Sequence, residues 1–366
     1  MEVEQPPGDE SGRRSGPLAG IRVLDLSTVL AAPMAASLLG ELGADVIKVE
    51  QPGAGDPLRS FRPLREGQSL HWRVTNRNKR SISLDVSQSK GRDILFGLVR
   101  QCDVVVVNFR PPTLRRWGID YADLKAVRPD IIMLHLSAFG RTGPYADRPG
   151  FARIAEAFAG LTHVTGYPDR PPVFAGYPIA DGIAGIQGAF SLMVALRHRD
   201  LTGEGQLIDL ALYEPLLRLM EDFIVGHGSD GTVKERVGSA QPNIAPNNLY
   251  PTADESFVVI PASTEAIWRR LASLVDRGMI ERFPSNEARV AHREEIDAAI
   301  CGFTRRHTAD ALVEICEDVG VPCGKLNSVR DIFSDPHIRA RGNLQRVFDP
   351  SLDAWLTMQA PIPSFS

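Results

Sequence analysis

The run DVVVVNF, residues 103–109, places four valines in a row between an aspartate and an asparagine. A strand with one wet face alternates apolar and polar residues, whereas a strand covered on both faces does not, so this run points to a buried parallel sheet. Working outward, DIIMLHLS (130–137) has the same character, and IRVLDLS (21–27), ADVIKVE (44–50) and SISLDV (81–86) supply further strands. Between them lie helical stretches such as PMAASLLGELG, which Pro33 can open as a first-turn proline, and GRDILFGLVRQC. Strands alternating with helices predict a doubly wound, Rossmann-like α/β domain over residues 18–225. The rhythm changes after about Tyr213, where EPLLRLMEDFIVG reads as a helix leading out. NNLYPTADESFVVIPAS then reads as a hairpin turning at Asp254-Glu255-Ser256, followed by helices, which predicts a smaller α+β domain over 226–325. Residues 326–366 are expected to return to the large domain, and residues 1–17, rich in Pro, Gly and charge, to form a disordered tail.

Composition narrows the function. With 366 residues the chain can bury about three quarters of its unfolded surface, so it needs no metal or disulfide staple. Lys plus Arg number 41 against 45 Asp plus Glu, a net charge of −4, which argues against nucleic acid as a partner. The four cysteines show neither CxxC nor metal-ligand spacing, so reduced thiols and no metal site are expected. The N-terminus lacks a signal-peptide core, and even VLAAPMAASLLGELGADVI (29–47) is interrupted by Pro33 and Glu41. No membrane span and a cytoplasmic location follow as expectations.

Known nucleotide motifs fail. The first βα turn, STVLAAPMAASLLG, carries Ala31 and Ala32 where GxGxxG would want glycine, and no GxxxxGK[ST], GxSxG or HExxH occurs. RHRD (197–200) lacks the other kinase motifs and fits a basic helix C-terminus. No permanently bound cofactor is expected. Basic and amide clusters remain at NRNKRS (76–81), NFRP (108–111) and TLRRWG (113–118), either as contacts for phosphates and a purine edge or as a solvated charged face. Asp181, in PIADGIAG ahead of a long apolar run, reads as a helix cap, as a reactive carboxylate, or as both.

Taken together, the segments LAGIRVLDLSTVLAAPMAASLLGELGADVIKVEQPGAGDPLR (18–59), NRNKRSISLD (76–85), VVNFRP, RTGPYADRPGF (141–151), PIADGIAG, TGEGQLIDLALYE (202–214) and VPCGKLNSVRDIFSDPHIRARG resemble the class III CoA-transferases. That family unites formyl-CoA:oxalate and carnitine CoA-transferases with α-methylacyl-CoA racemases. The resemblance implies an interlocked homodimer and an aspartate nucleophile, here Asp181. It also implies that Leu30, Ala31, Leu84, Asn108, Arg116 and Arg148 line the coenzyme A site, with Gln51 where relatives often place a basic contact. The expected reaction moves coenzyme A, the co-substrate, from an acyl-CoA such as succinyl-CoA to a small organic acid through an anhydride and an aspartyl-CoA thioester on Asp181. Within SFRPLREGQSLHWRVTNRNKR (60–80), His71 and Arg73 are the candidate substrate contacts, among Arg62, Arg65 and Arg77. Racemases need a histidine after the RPG-like turn, and Phe151 stands there, which disfavours racemisation. SAQPNIAPNNLYPTADES replaces the glycine run of the oxalate branch. An acyl-CoA racemase or epimerase, and a CoA-binding protein without turnover, stand as alternatives.

Overall fold

The computed structural model describes residues 16–364, so the expected tail falls almost wholly outside the described residues. Six strands form one sheet: β1 (Arg22–Asp25), β2 (Asp45–Glu50), β3 (Lys79–Ser83), β4 (Val104–Val107), β5 (Ile132–Ser137) and β6 (Leu207–Ala211). Their order is β3-β2-β1-β4-β5-β6, every neighbouring pair parallel, with Val23 opposite Val46 and Val104. This is the doubly wound order, with its switch point between β1 and β4. The valine run behaves as its composition dictates. Val104 and Val106 join the cluster on one face with Val23 and Leu134, while Val105 and Val107 join Leu24 and Met133 on the other. Each valine is at most 1% exposed, and full burial of such a side chain contributes about 1.5–3 kcal/mol.

Four helices matter for the cleft: α1 (Ala31–Glu41), α2 (Pro111–Trp117), α3 (Ala152–Phe158) and α4 (Ile179–Thr202). The 24-residue α4 is long and apolar enough to span a membrane by length and composition alone, but half of its most apolar stretch is buried in the fold. Its small residues serve packing: Ala180, Ala184, Ala189 and Leu192 are buried in the same cluster as α1, and Gly185 and Gly188 are buried on the same helix. Gly185 and Gly188 set the approach. A Cβ on Gly185 would come within 2.9 Å of the Ala31 carbonyl oxygen, and one on Gly188 within 3.2 Å of Ala35. The helices can touch only because those atoms are missing.

The described residues divide into two compact units, one of residues 16–162, 174–233 and 347–364, the other of residues 163–173 and 234–346. In the second, β7 (Asn247–Pro251) and β8 (Phe257–Pro261) pair antiparallel, and β9 (Gly324–Lys325) adds to β8. The tip between β7 and β8 is the expected turn, with Glu255 in the left-handed region at φ +56°. Helices α5 (Glu265–Val275), α6 (Arg293–Thr304) and α7 (Ala309–Asp318) close a core around Tyr250, Trp268 and Phe303.

Candidate active site

A cleft of about 280 Å³ opens beside the ends of β1, β4 and β5, walled by Thr28–Ala31, Asn108–Arg110, Leu136–Ala138 and Pro149–Phe151, with Asp181 among its lining residues. It lies outside the carboxyl ends of the strands at the switch point, where open α/β sheets bind their ligands. A second cleft of about 240 Å³, lined by Glu50, Gln51, Leu84, Val86 and Trp117, shares Thr28 and Phe109 with the first. The two clefts thus meet at a shared wall, with Asp181 lining the first and Leu84 the second.

Asp181 is not the cap of its helix. The N-cap position is Pro178, no side chain caps the helix, and Asp181 sits in the first turn with its N–H donated to the Pro178 carbonyl at 3.1 Å. Its carboxylate is left for other work. Burial pushes its pKa up to about 6, and the charge of Glu156 adds to the rise. Glu156 lies on α3, is 1% exposed, and has one oxygen with no hydrogen-bond partner and the other 3.5 Å from Arg153. The sequence reading missed it, because a glutamate in a helix of mixed polarity looks like a surface residue. Tyr177 is the other neighbour: its ring covers Gly182, and burial together with the Asp181 charge raises its hydroxyl pKa.

The helix starts around the cleft share a property. α1, α2, α3 and α4 begin after Leu30, Arg110, Phe151 and Pro178, none of which makes a side-chain cap. The Leu30 and Ala31 N–H groups have no acceptor among the described residues, and both residues line the cleft with Asp181. First-turn amides of an 11-residue helix favour negative charge.

The remaining sequence candidates separate. Leu30, Ala31 and Asn108 line the first cleft, and Leu84 and Gln51 the second. Asn108 spends its amide on the backbone of Thr28, accepting from its N–H at 2.9 Å and donating to its carbonyl at 2.7 Å, so it shapes the wall. Arg116 and Arg148 are exposed and line neither cleft; Arg148 stacks 3.7 Å from the Tyr145 ring centroid. Arg73 is engaged by Asp349 at 2.8 Å and by Gln68 and Ser351. His71 is half-buried, and burial lowers its pKa. The 76–81 cluster is largely structural: Lys79 pairs with Asp25 at 2.8 Å, Arg77 with Glu41 at 2.6 Å, and Arg80 with Asp45 at 2.6 Å. Among the described residues no three His, Cys, Asp or Glu side chains group as a metal site.

A Rossmann-type sheet with a half-buried carboxylate in the cleft at its switch point, and no glycine loop for a dinucleotide, defines an α/β protein whose ligand cleft is not built as a dinucleotide site. The chain belongs to CoA-transferase family III, which it matches over residues 18–366. It is 41% identical over 360 residues to the succinyl-CoA–D-citramalate CoA-transferase of Chloroflexus aurantiacus, covering 97% of this chain and 89% of that one. It is 38% identical over 339 residues to the succinate–glutarate CoA-transferase of Agrobacterium fabrum, covering 90% and 84%. A solved CAIB/BAIF family protein from Brucella suis superposes with a TM-score of 0.85 at 35% identity, covering 96% and 93%.

Proposed function

We propose that the protein transfers coenzyme A from succinyl-CoA to a small carboxylic or dicarboxylic acid, with Asp181 as the nucleophile. The observation that carries this reading is a partly desolvated carboxylate, its pKa raised to about 6, lining a cleft of about 280 Å³ together with Leu30 and Ala31 at the uncapped start of α1. Above that pKa Asp181 is ionised, and its desolvation makes it more nucleophilic than a carboxylate in water. It attacks the succinyl carbonyl and expels CoA thiolate, giving a mixed anhydride. The thiolate then attacks the Asp181 carbonyl, releasing succinate and leaving an aspartyl-CoA thioester. The acceptor carboxylate attacks that thioester, a new anhydride forms with release of the thiolate, and the thiolate takes the acceptor acyl group, restoring Asp181. The Leu30 and Ala31 amides stabilise oxyanions as these carbonyls become tetrahedral. No proton is gained or lost overall, which fits a site without a histidine at position 151. Phe151 there also sets this reading above an acyl-CoA racemase.

Leu84 and Gln51, in the second cleft, are assigned to the nucleotide end of coenzyme A, and the exposed Arg116 and Arg148 to its phosphates. His71 and Arg73 are assigned to the acceptor side, where Arg73 would have to leave Asp349 to bind a second carboxylate. We also propose a homodimer: Ile186, Phe190, Val194 and Leu201 on α4 are 53–67% exposed, an apolar stripe that a second copy of the chain would cover. The test is exchange of label between succinyl-CoA and free succinate. Wild type turns over, Asp181→Ala binds CoA without turnover, and retained turnover in Asp181→Ala would remove the mechanism.

A further inference from the structure

The backbone strain nearest the reacting groups lies at Val29, between β1 and α1, with φ at +68°. A β-branched side chain rarely adopts this left-handed conformation, and it persists only where the surroundings over-determine it. Here they do. The Val29 N–H is accepted by both carboxylate oxygens of Asp56, at 3.1 and 3.2 Å. Asp56 is 2% exposed and fixed from three further directions. Lys48 lies 3.0 Å from its carboxylate, the Leu58 N–H donates to it at 2.9 Å, and its own N–H donates to Glu50 at 3.0 Å. Glu50 is gripped in turn by Arg59 at 2.6 and 2.7 Å, and Arg59 stacks 3.9 Å from the Trp72 ring centroid. One residue earlier, the Asn108 amide holds Thr28. Thr28 and Val29 are thus both pinned by side chains from remote parts of the chain, immediately before Leu30 and Ala31, which line the cleft with Asp181.

We infer that Asp56 is a positioning residue for the transfer reaction: it locks Val29 in the left-handed conformation and so presets the Thr28–Ala31 wall against which the thioester meets Asp181. This rests on the CoA-transfer reading above. Asp56 lines the second cleft and not the one that holds Asp181, so it acts on the reacting groups through Val29. Its buried pairing with Lys48 explains why a carboxylate can serve here, since an unpaired one would not stay charged in that place. Lys48 also lies 3.6 Å from Asp25, which gives the lysine a second partner when Asp56 is neutralised.

The test compares Asp56→Asn, Val29→Gly and the double variant with wild type in the succinyl-CoA and labelled succinate exchange, each rate normalised to the fraction of chains that form a hydroxylamine-trappable adduct. Asp56→Asn is expected to lower kcat about 100-fold, as for reacting groups displaced by about 1 Å, with the KM for succinyl-CoA within about threefold of wild type. Val29→Gly keeps every buried ion pair but frees the turn, and is expected to lower kcat about tenfold. The double variant should be no slower than Asp56→Asn, because both changes release the same turn. A normalised kcat for Asp56→Asn within about threefold of wild type overturns the inference, as does a double variant as slow as the product of the singles. If Asp56→Asn does not fold, Val29→Gly decides: a wild-type kcat there also overturns it. Absence of exchange in wild type overturns the transfer reading itself, exchange that survives Asp181→Ala overturns Asp181 as nucleophile, and exchange lost in Asp181→Ala but untouched in Asp56→Asn and Val29→Gly overturns only the role of Asp56.

Discussion

The helix starts around the cleft of the first unit differ from four starts in the second unit. In the second unit, Thr264, Ser285, Thr308 and Ser328 each accept a hydrogen bond from the first turn of the helix that follows. Around the cleft of the first unit, the corresponding positions are Leu30, Arg110, Phe151 and Pro178, and none caps its helix. A side-chain cap contributes about 1 kcal/mol, so the first unit forgoes stability where its helices meet the cleft. A capped helix end has its amides occupied. An uncapped one beside a cleft keeps them for a ligand's oxygens, and the difference marks where folding and function part.

The contrast can be broken or sharpened experimentally. The largest effect is expected from Asp181→Ala, which should reduce exchange by about 10⁴-fold or more, as when a covalent nucleophile is removed; isotope exchange measures it. Next, Gly185→Val should drive a side chain into the Ala31 carbonyl and lower stability by about 2–3 kcal/mol, read by urea denaturation, with loss of exchange as α1 and α4 move apart. The ionisation of Asp181 gives a pH signature. Its native pKa, about 6, lies above the unfolded value, so the native state holds the proton more tightly and stability falls as pH rises from about 4 to 6. Asp181→Asn should therefore raise stability by about 1–2 kcal/mol at pH 7.5, with no gain below pH 4, read by thermal denaturation at both values. In the wild type kcat/KM should fall below about pH 6, and Glu156→Gln should move that limb to lower pH by removing the neighbouring negative charge. The smallest effect belongs to the other kind of helix start: Thr308→Ala should cost about 1 kcal/mol and leave the exchange rate unchanged.

Much of this was legible in the chain. Four consecutive valines could only be a strand covered on both faces, and the alternation around them fixed the doubly wound sheet. Asp181 stood out by its place in PIADGIAG, and Leu30, Ala31 and Asn108 were named only through the family resemblance; all four line one cleft. The cap reading of Asp181 failed because Pro178, three residues earlier, begins the helix. The cation cluster at 76–81 misled because its partners are remote: Lys79 meets Asp25 across 54 positions, a pairing that only the strand order creates. Glu156 was hidden for the same reason, since nothing local says that α3 turns it inward. Asp56 sits in a Gly-Asp-Pro turn, where an N-cap is the obvious reading; it does cap that turn through Leu58, and its hold on Val29 appears only in three dimensions.

The central claim is that a side-chain oxygen of Asp181 becomes covalently bonded in each turnover. It is tested most directly by incubating the wild-type protein with succinyl-CoA, quenching with hydroxylamine, and mapping the modified peptide by mass spectrometry. A hydroxamate should form at Asp181, and only when succinyl-CoA is present. Full exchange activity with an unmodified Asp181 would contradict it.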